Sequence, residues 1–174
     1  MNQQQQRLTQ IIQKIDVFNG LSISDIQQLL QVCKMQTFSV EEQVYKAGDP
    51  SDELLVLLKG QLMVSSASGE PLGSVTAGQP IGEMGVFTGQ PRSANVTALT
   101  ESGGVAIRKM DVEILLARNP NMYVKILKNI VGILCNRLSK SNTQNEQHLK
   151  TIMRMRDLME QRGTTEEEDE EGNT

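Results

Sequence analysis

The chain has 174 residues, 38% of them apolar and 22% charged, with aromatics at 3% and no tryptophan. That length predicts one domain with an appendage. The scarcity of aromatics excludes a stacking platform for single-stranded nucleic acid, and a formal charge of -4 excludes a global basic field for DNA or RNA. The acidity is local: residues 166–171 read EEEDEE, and without Gly163–Thr174 the chain carries 17 basic and 15 acidic side chains. Such a run predicts a disordered, solvated tail over 163–174.

Leu8, Ile11, Ile12 and Ile15 lie at helical spacing and predict a first helix over 7–15, after a low-complexity run, Gln3 to Gln6. Ser22 or Ser24 can cap a second helix through Lys34, with Ile26, Leu29, Leu30 and Cys33 inward. From Met35 to Arg108 strand-like pieces (MQTFSV, QVYKA, LLVLLKG, QLMVSS, PLGSV, NVTALT, GVAIRK) alternate with glycine-containing turns. Many short strands at close spacing predict a small all-β barrel or sandwich. Asp111 can cap a short helix to Arg118, which Asn119-Pro120 ends, and Pro120 is placed to open the next helix.

No further proline interrupts the segment from there to about Arg162. Leu127, Val131, Leu134, Leu138, Ser141, Asn145, His148, Ile152, Met155 and Met159 repeat at spacings of 4 and 3 within it, a heptad seam. The seam predicts a homodimeric coiled coil; a single amphipathic helix folded back on the domain is the alternative. Ser141, Asn145 and His148 make its middle polar, either to fix register or to face a polar ligand.

The longest apolar run, Leu54 to Leu58, is five residues, far below the roughly 20 a spanning helix needs. The start MNQQQQR carries no signal-peptide pattern. Cys33, Cys135 and the lone His148 have no metal-ligand spacing. A cytoplasmic protein with free thiols, no metal and no membrane segment is the expectation.

The segment Ile81 to Val96, between two strand-like pieces, carries the chemistry. Gly82 and Gly85 let a ligand approach the backbone. Residues 83–87 can form one helical turn whose free N–H groups suit an anion. Arg92 offers a planar cation that binds phosphate bidentately; Ser93 adds a hydroxyl, and Ala94 is small enough to expose its own N–H. Glu83 fits beside an anion site if its carboxylate accepts hydrogen bonds from hydroxyls of the same ligand, as a sugar phosphate would allow. A glycine-rich turn with a surface Glu–Arg pair is the plainer alternative.

The string Gly82-Glu83-Met84-Gly85 … Pro91-Arg92-Ser93-Ala94-Asn95-Val96 resembles the phosphate-binding cassette of cyclic nucleotide-binding domains, such as those of bacterial catabolite activators and cyclic-nucleotide-dependent kinases. Gly48-Asp49 followed by the apolar strand and Lys59-Gly60 resembles that family's first hairpins, and the likeness covers roughly 15–141. The fold implied is α+β: a small β-roll (jelly-roll-like barrel) with N-terminal helices, a short cassette helix and a long C-terminal helix over about 120–162.

The resemblance also implies roles. Glu83 would hold the ribose 2′-hydroxyl and Arg92 the cyclic phosphate. The N–H groups of Gly85 and Ala94, with the Ser93 hydroxyl, would complete the cradle formed along Gly82, Glu83 and Met84. Ser141 and Asn142 would meet the base from the long helix. Ile81 stands where the family usually has an aromatic, and Gly85 where many kinase-type members have Ala. Some guanine-selective members have Thr at the position of Ser93, so cAMP is preferred over cGMP, with cyclic dinucleotides open.

The roughly 35 residues after Lys140 leave no room for a helix-turn-helix domain, and no kinase or P-loop signature is present. The expectation is a stand-alone cyclic nucleotide sensor, not an enzyme and without a cofactor or DNA-binding domain, that signals to a protein partner through the long helix. A nucleotide-independent scaffold and a truncated transcription factor are the alternatives.

Overall fold

The computed structural model describes the backbone of residues 9–171 and the side chains of residues 9–156. The glutamine run, Leu8 and the Met159 side chain therefore lie outside what is described. A short helix α1 (9–13) leads into a 3₁₀ turn, Asp16–Phe18, and then helix α2, Ile23–Val32. Ser22 starts α2 through a reciprocal capping box: its hydroxyl accepts from the Asp25 N–H at 3.1 Å, and Asp25 Oδ2 accepts from the Ser22 N–H at 3.0 Å. Helix α2 stops at Val32, so Cys33 opens a strand instead of facing the helix interior as expected.

Eight strands follow: β1 Cys33–Phe38, β2 Gln43–Tyr45, β3 Glu53–Lys59, β4 Gln61–Ser65, β5 Pro71–Thr76, β6 Pro80–Ile81, β7 Asn95–Ala98 and β8 Ser102–Arg108. Helix α3, Glu83–Thr88, interrupts them between β6 and β7. They form two four-stranded antiparallel sheets, ordered β1-β8-β3-β6 and β2-β7-β4-β5. The two-residue strand β6 was not expected from sequence. Proline lacks the N–H a central strand needs, and β6 sits at the sheet edge, where that loss is tolerated.

Period-2 alternation explains why β3 is buried at four consecutive positions. Leu55 and Leu57 enter a core with Phe38, Leu62, Val75, Ile81, Val96, Ala98 and Ala106. Leu54 and Val56 point the other way, paired with Ile107 and Val105 on β8 and equally buried. Gly104 on β8 is required by this close pairing, because a side chain there would run into the Val56 backbone carbonyl.

Helix α4, Lys109–Arg118, packs on β8 and against α2. Its N-cap is Arg108, not Asp111; Asp111 lies inside the first turn and accepts from the Arg108 side chain at 2.7 Å. Helix α5 runs Pro120–Glu171. Met122, Ile126 and Ile130 of its first turns are buried, and Asn129 Nδ2 donates to the Val17 and Asn19 carbonyls. Asn119 Nδ2 donates to Asp25 Oδ1 at 3.1 Å, tying the end of α4 to the start of α2.

The chain divides into two compact units, Met1–Val131 and Gly132–Thr174. In the second, α5 continues as a helix whose described side chains are mostly exposed, Leu138, Leu149, Ile152, Met153 and Met155 among them. The helical backbone of α5 continues to Glu171. Gly163 is a tolerated interior residue at a cost of about 1 kcal/mol, and the glutamates after it are good helix formers.

Candidate functional site

The site is built where the chain leaves the sheet between β6 and β7. Gly82 takes a left-handed conformation at the N-cap of α3 (φ +84°), and Gly89 takes one at its C-terminus (φ +75°), where its N–H donates to the Gly85 carbonyl at 2.9 Å. Glycine reaches this region without steric cost, so the pair sets both ends of a six-residue helix. The returning arm is clamped at Arg92. The Arg92 N–H donates to the Asp49 carbonyl, and the Gly48 N–H donates to the Arg92 carbonyl, each at 2.8 Å. Asn95 fixes the entry to β7, accepting from the Ala47 N–H at 2.9 Å and donating to the Ser66 carbonyl at 2.7 Å.

This clamping folds two charged residues inward. Glu83 is 4% exposed and Arg92 7%. The Arg92 guanidinium lies 3.6 Å above the centre of the Tyr45 ring and against Gly82, where a Cβ would strike Nη1. Tyr45 Oη donates to Glu53 Oε1 at 2.8 Å, and Gln36 Nε2 donates to Glu53 Oε2 at 3.2 Å. Burial raises the Tyr45 phenol well above its ordinary range, and the Glu53 carboxylate adds to this against the opposing charge of Arg92. Tyr45 therefore remains a neutral donor at physiological pH.

Among the described residues, the buried side-chain polar atoms without a hydrogen-bond partner are Arg92 Nε, Arg92 Nη1 and Ser51 Oγ. All three gather around the start of α3, since Ser51 packs against Gly85. Buried donors without acceptors are costly, and more so on a cation. A site that holds them open is arranged for an anion arriving from outside. The first-turn N–H groups of α3 have no intrahelical acceptor and add to the same field.

The structure brings Gly82, Glu83, Gly85 and Arg92 together, all buried or half-buried. Met84, 43% exposed, turns outward from the same helix; Ser93 is exposed and Ala94 half-buried on the arm. Ser141 and Asn142 are exposed on α5 in the C-terminal unit. Sequence reading missed Tyr45, Glu53, Gln36 and Ser51. Two signals were available: Tyr45 is one of only two tyrosines, and Glu53 is a carboxylate directly before the longest apolar run. Their joint placement depends on strand pairing, which neither signal contains.

Beside α3 lies a cavity of about 260 Å³ lined by Val86, Phe87, Val112, Leu116 and Tyr123. Among the described residues, no cluster of three or more His, Cys, Asp or Glu side chains can hold a metal, and no helix is long and apolar enough to cross a membrane.

Residues 35–119 match the family model of the cyclic nucleotide-binding domain, and this segment belongs to that family. A solved cyclic nucleotide-binding domain from Methylobacillus flagellatus is 27% identical with a TM-score of 0.71, covering 81% of this chain and 82% of that one. Glutaminase 1 of Bradyrhizobium diazoefficiens is 29% identical over 128 residues, 74% of this chain and 21% of the relative. A cyclic nucleotide-gated potassium channel of Mesorhizobium japonicum is 23% identical over 113 residues, 65% of this chain and 31% of the channel. The chain thus spans a fifth to a third of the length of these two curated relatives.

Proposed function

We propose that this cyclic nucleotide-binding domain is a sensor that takes cAMP in preference to cGMP and signals by protein contact through α5. The observation that carries the reading is the buried Arg92 guanidinium, with Nε and Nη1 lacking an acceptor, next to buried Glu83 and the left-handed Gly82. A cyclic nucleotide supplies what that pair requires: a phosphate for Arg92 and a ribose hydroxyl for Glu83.

In this reading Arg92 neutralises the cyclic phosphate. The Ser93 hydroxyl and the N–H groups of Gly85 and Ala94 complete its cradle, and Gly82 and Met84 give the ribose room along the backbone. Ser141 and Asn142 are assigned to the base on the family resemblance alone. The preference for cAMP rests on Ser93 standing where some guanine-selective members have Thr. The exposed apolar residues of α5, Leu138, Ile152 and Met155, support a homodimeric seam. Ligand shifts the protein between two arrangements of cassette and helix, and only by its difference in affinity for them. The channel relative supports the nucleotide-responsive reading, since its name describes a channel gated by cyclic nucleotide.

Thermal unfolding with cAMP, cGMP, cyclic di-GMP and ATP tests the reading, with Arg92→Ala as control. At a hundred times its dissociation constant a ligand stabilises by about 2.7 kcal/mol, or roughly 5–10 °C for a chain of this size. The expected result is the largest shift with cAMP, lost in Arg92→Ala. No shift with any nucleotide refutes the sensor and leaves a nucleotide-independent scaffold.

A further inference from the structure

We infer that Tyr45 is a positioning residue for anion binding: its ring holds the Arg92 guanidinium in place while leaving Nε and Nη1 free for the ligand. The inference rests on the proposed nucleotide-binding reading and adds a residue to it.

A site that must receive an anion faces a conflict. A buried guanidinium without compensation is costly, but a carboxylate hydrogen-bonded to it would compete with the ligand for the same donors. The face of an aromatic ring resolves this, because it attracts the cation through its quadrupole and accepts none of the in-plane N–H bonds. The geometry here has that form. The guanidinium carbon lies 3.6 Å from the Tyr45 ring centre, and Nε and Nη1 have no acceptor. The Glu53 carboxylate is engaged by Tyr45 Oη at 2.8 Å and by Gln36 Nε2 at 3.2 Å.

The ring is itself fixed. Tyr45 ends β2, where it pairs with Val96 on β7, four residues beyond Arg92. Its hydroxyl is anchored to Glu53 at the start of β3, and Gln36 on β1 bonds the same carboxylate. One chain of side-chain contacts therefore runs from the β1-β8-β3-β6 sheet, across β2 of the other sheet, to the arm bearing Arg92. It gives the guanidinium a fixed plane before any ligand arrives, and so lowers the ordering cost of binding.

The test measures cAMP and cGMP affinity by calorimetry in wild type, Tyr45→Phe, Tyr45→Leu, Arg92→Ala and the Tyr45→Leu/Arg92→Ala double variant. Tyr45→Phe keeps the ring face and should bind within about threefold of wild type. Tyr45→Leu should bind about tenfold more weakly, the size expected for a desolvated cation–π contact. In the double variant the loss should equal that of Arg92→Ala alone, because Tyr45 acts through Arg92; a general packing defect would add instead. If Tyr45→Leu does not fold, Tyr45→Met fills the same space without a ring face.

A second readout needs no ligand. Ring current should displace the Arg92 Hε resonance, assigned by its absence in Arg92→Ala, in wild type and Tyr45→Phe but not in Tyr45→Leu. Unchanged affinity in Tyr45→Leu, additive losses in the double variant, or an undisplaced resonance in wild type overturns the inference while nucleotide binding stands. Failure of folded wild type to bind either nucleotide overturns the binding reading, and with it the positioning role.

Discussion

Gly85→Ala separates two opposed effects at the start of α3. Alanine in place of glycine inside a helix is worth up to about 1 kcal/mol in propensity, and the family resemblance makes Ala an acceptable residue at this position. Here the new Cβ would collide with Ser51 Cβ and Oγ and lie 2.7 Å from the Gln90 carbonyl oxygen. Ser51 Cβ and the carbonyl are tied to the backbone, so the overlap is not relieved by rotating a side chain. Overpacking of this kind costs about 1–3 kcal/mol. The overlap therefore outweighs propensity, with a net loss of about 1.5 kcal/mol, or roughly 3–6 °C in Tm.

The design is a double-mutant cycle with Ser51→Gly, read by urea unfolding without ligand at one fixed protein concentration, since a dimer's apparent stability depends on it. Ser51→Gly removes both colliding Ser51 atoms and leaves the Gln90 contact, so Gly85→Ala should cost less in that background. The coupling should be about 0.5–1 kcal/mol and of relieving sign. A Gly85→Ala protein as stable as wild type, or two substitutions that simply add, refutes the steric account.

Three further outcomes are expected. Partial burial raises the Asp25 carboxyl, but hydrogen bonds from the Ser22 side chain and backbone and from Asn119, with the charge of Lys125, outweigh it and hold the group below its ordinary 3.8. A lowered carboxyl stabilises the fold above the unfolded-state value and loses this as pH falls through the folded one. The Tm advantage of wild type over Asp25→Asn should thus be full at pH 6 and shrink progressively below about pH 4; a pH-independent difference contradicts it. Burial pushes the Cys33 thiol up to about 12, whereas Cys135 is exposed. One thiol should react quickly with Ellman's reagent at pH 8 and a second only on unfolding, and Cys135→Ser should abolish the fast phase. On the homodimer reading, sedimentation of the full chain should give twice 19.3 kDa, and Ile152→Glu, at an exposed apolar position of α5, should shift it to monomer; a wild-type monomer refutes the seam.

Much of this architecture was legible because it is written locally. The cap at Ser22, the glycine at the start of α3, the apolar run of β3 and the Asn119-Pro120 break between α4 and α5 each depend on residues a few positions apart. The errors were local as well, where two local choices compete. Cys33 could extend α2 or open β1, and pairing with Ile107 on β8 decided for the strand. Asp111 looked like a cap, but the helix starts two residues earlier, and the aspartate bonds the Arg108 side chain from inside the first turn. Strand β6 has only two residues and begins with proline, too short for any periodicity to register.

The candidate site divides along the same line. Gly82, Glu83, Gly85 and Arg92 lie within eleven consecutive residues, so residue types and spacing alone pointed to an anion and a hydroxyl. What surrounds them comes from 39 to 56 residues upstream of Arg92: Gln36, Tyr45, Ser51 and Glu53 reach the site only through the pairing of β1 with β8, of β2 with β7 and of β3 with β6 and β8. Sequence by itself determined that these groups would share one excursion from the sheet, because glycine turns and a charged arm need only their neighbours. Only the tertiary structure decided that Arg92 is buried against a ring, with two donors unpaired, because burial and stacking are properties of packed sheets and not of any single segment.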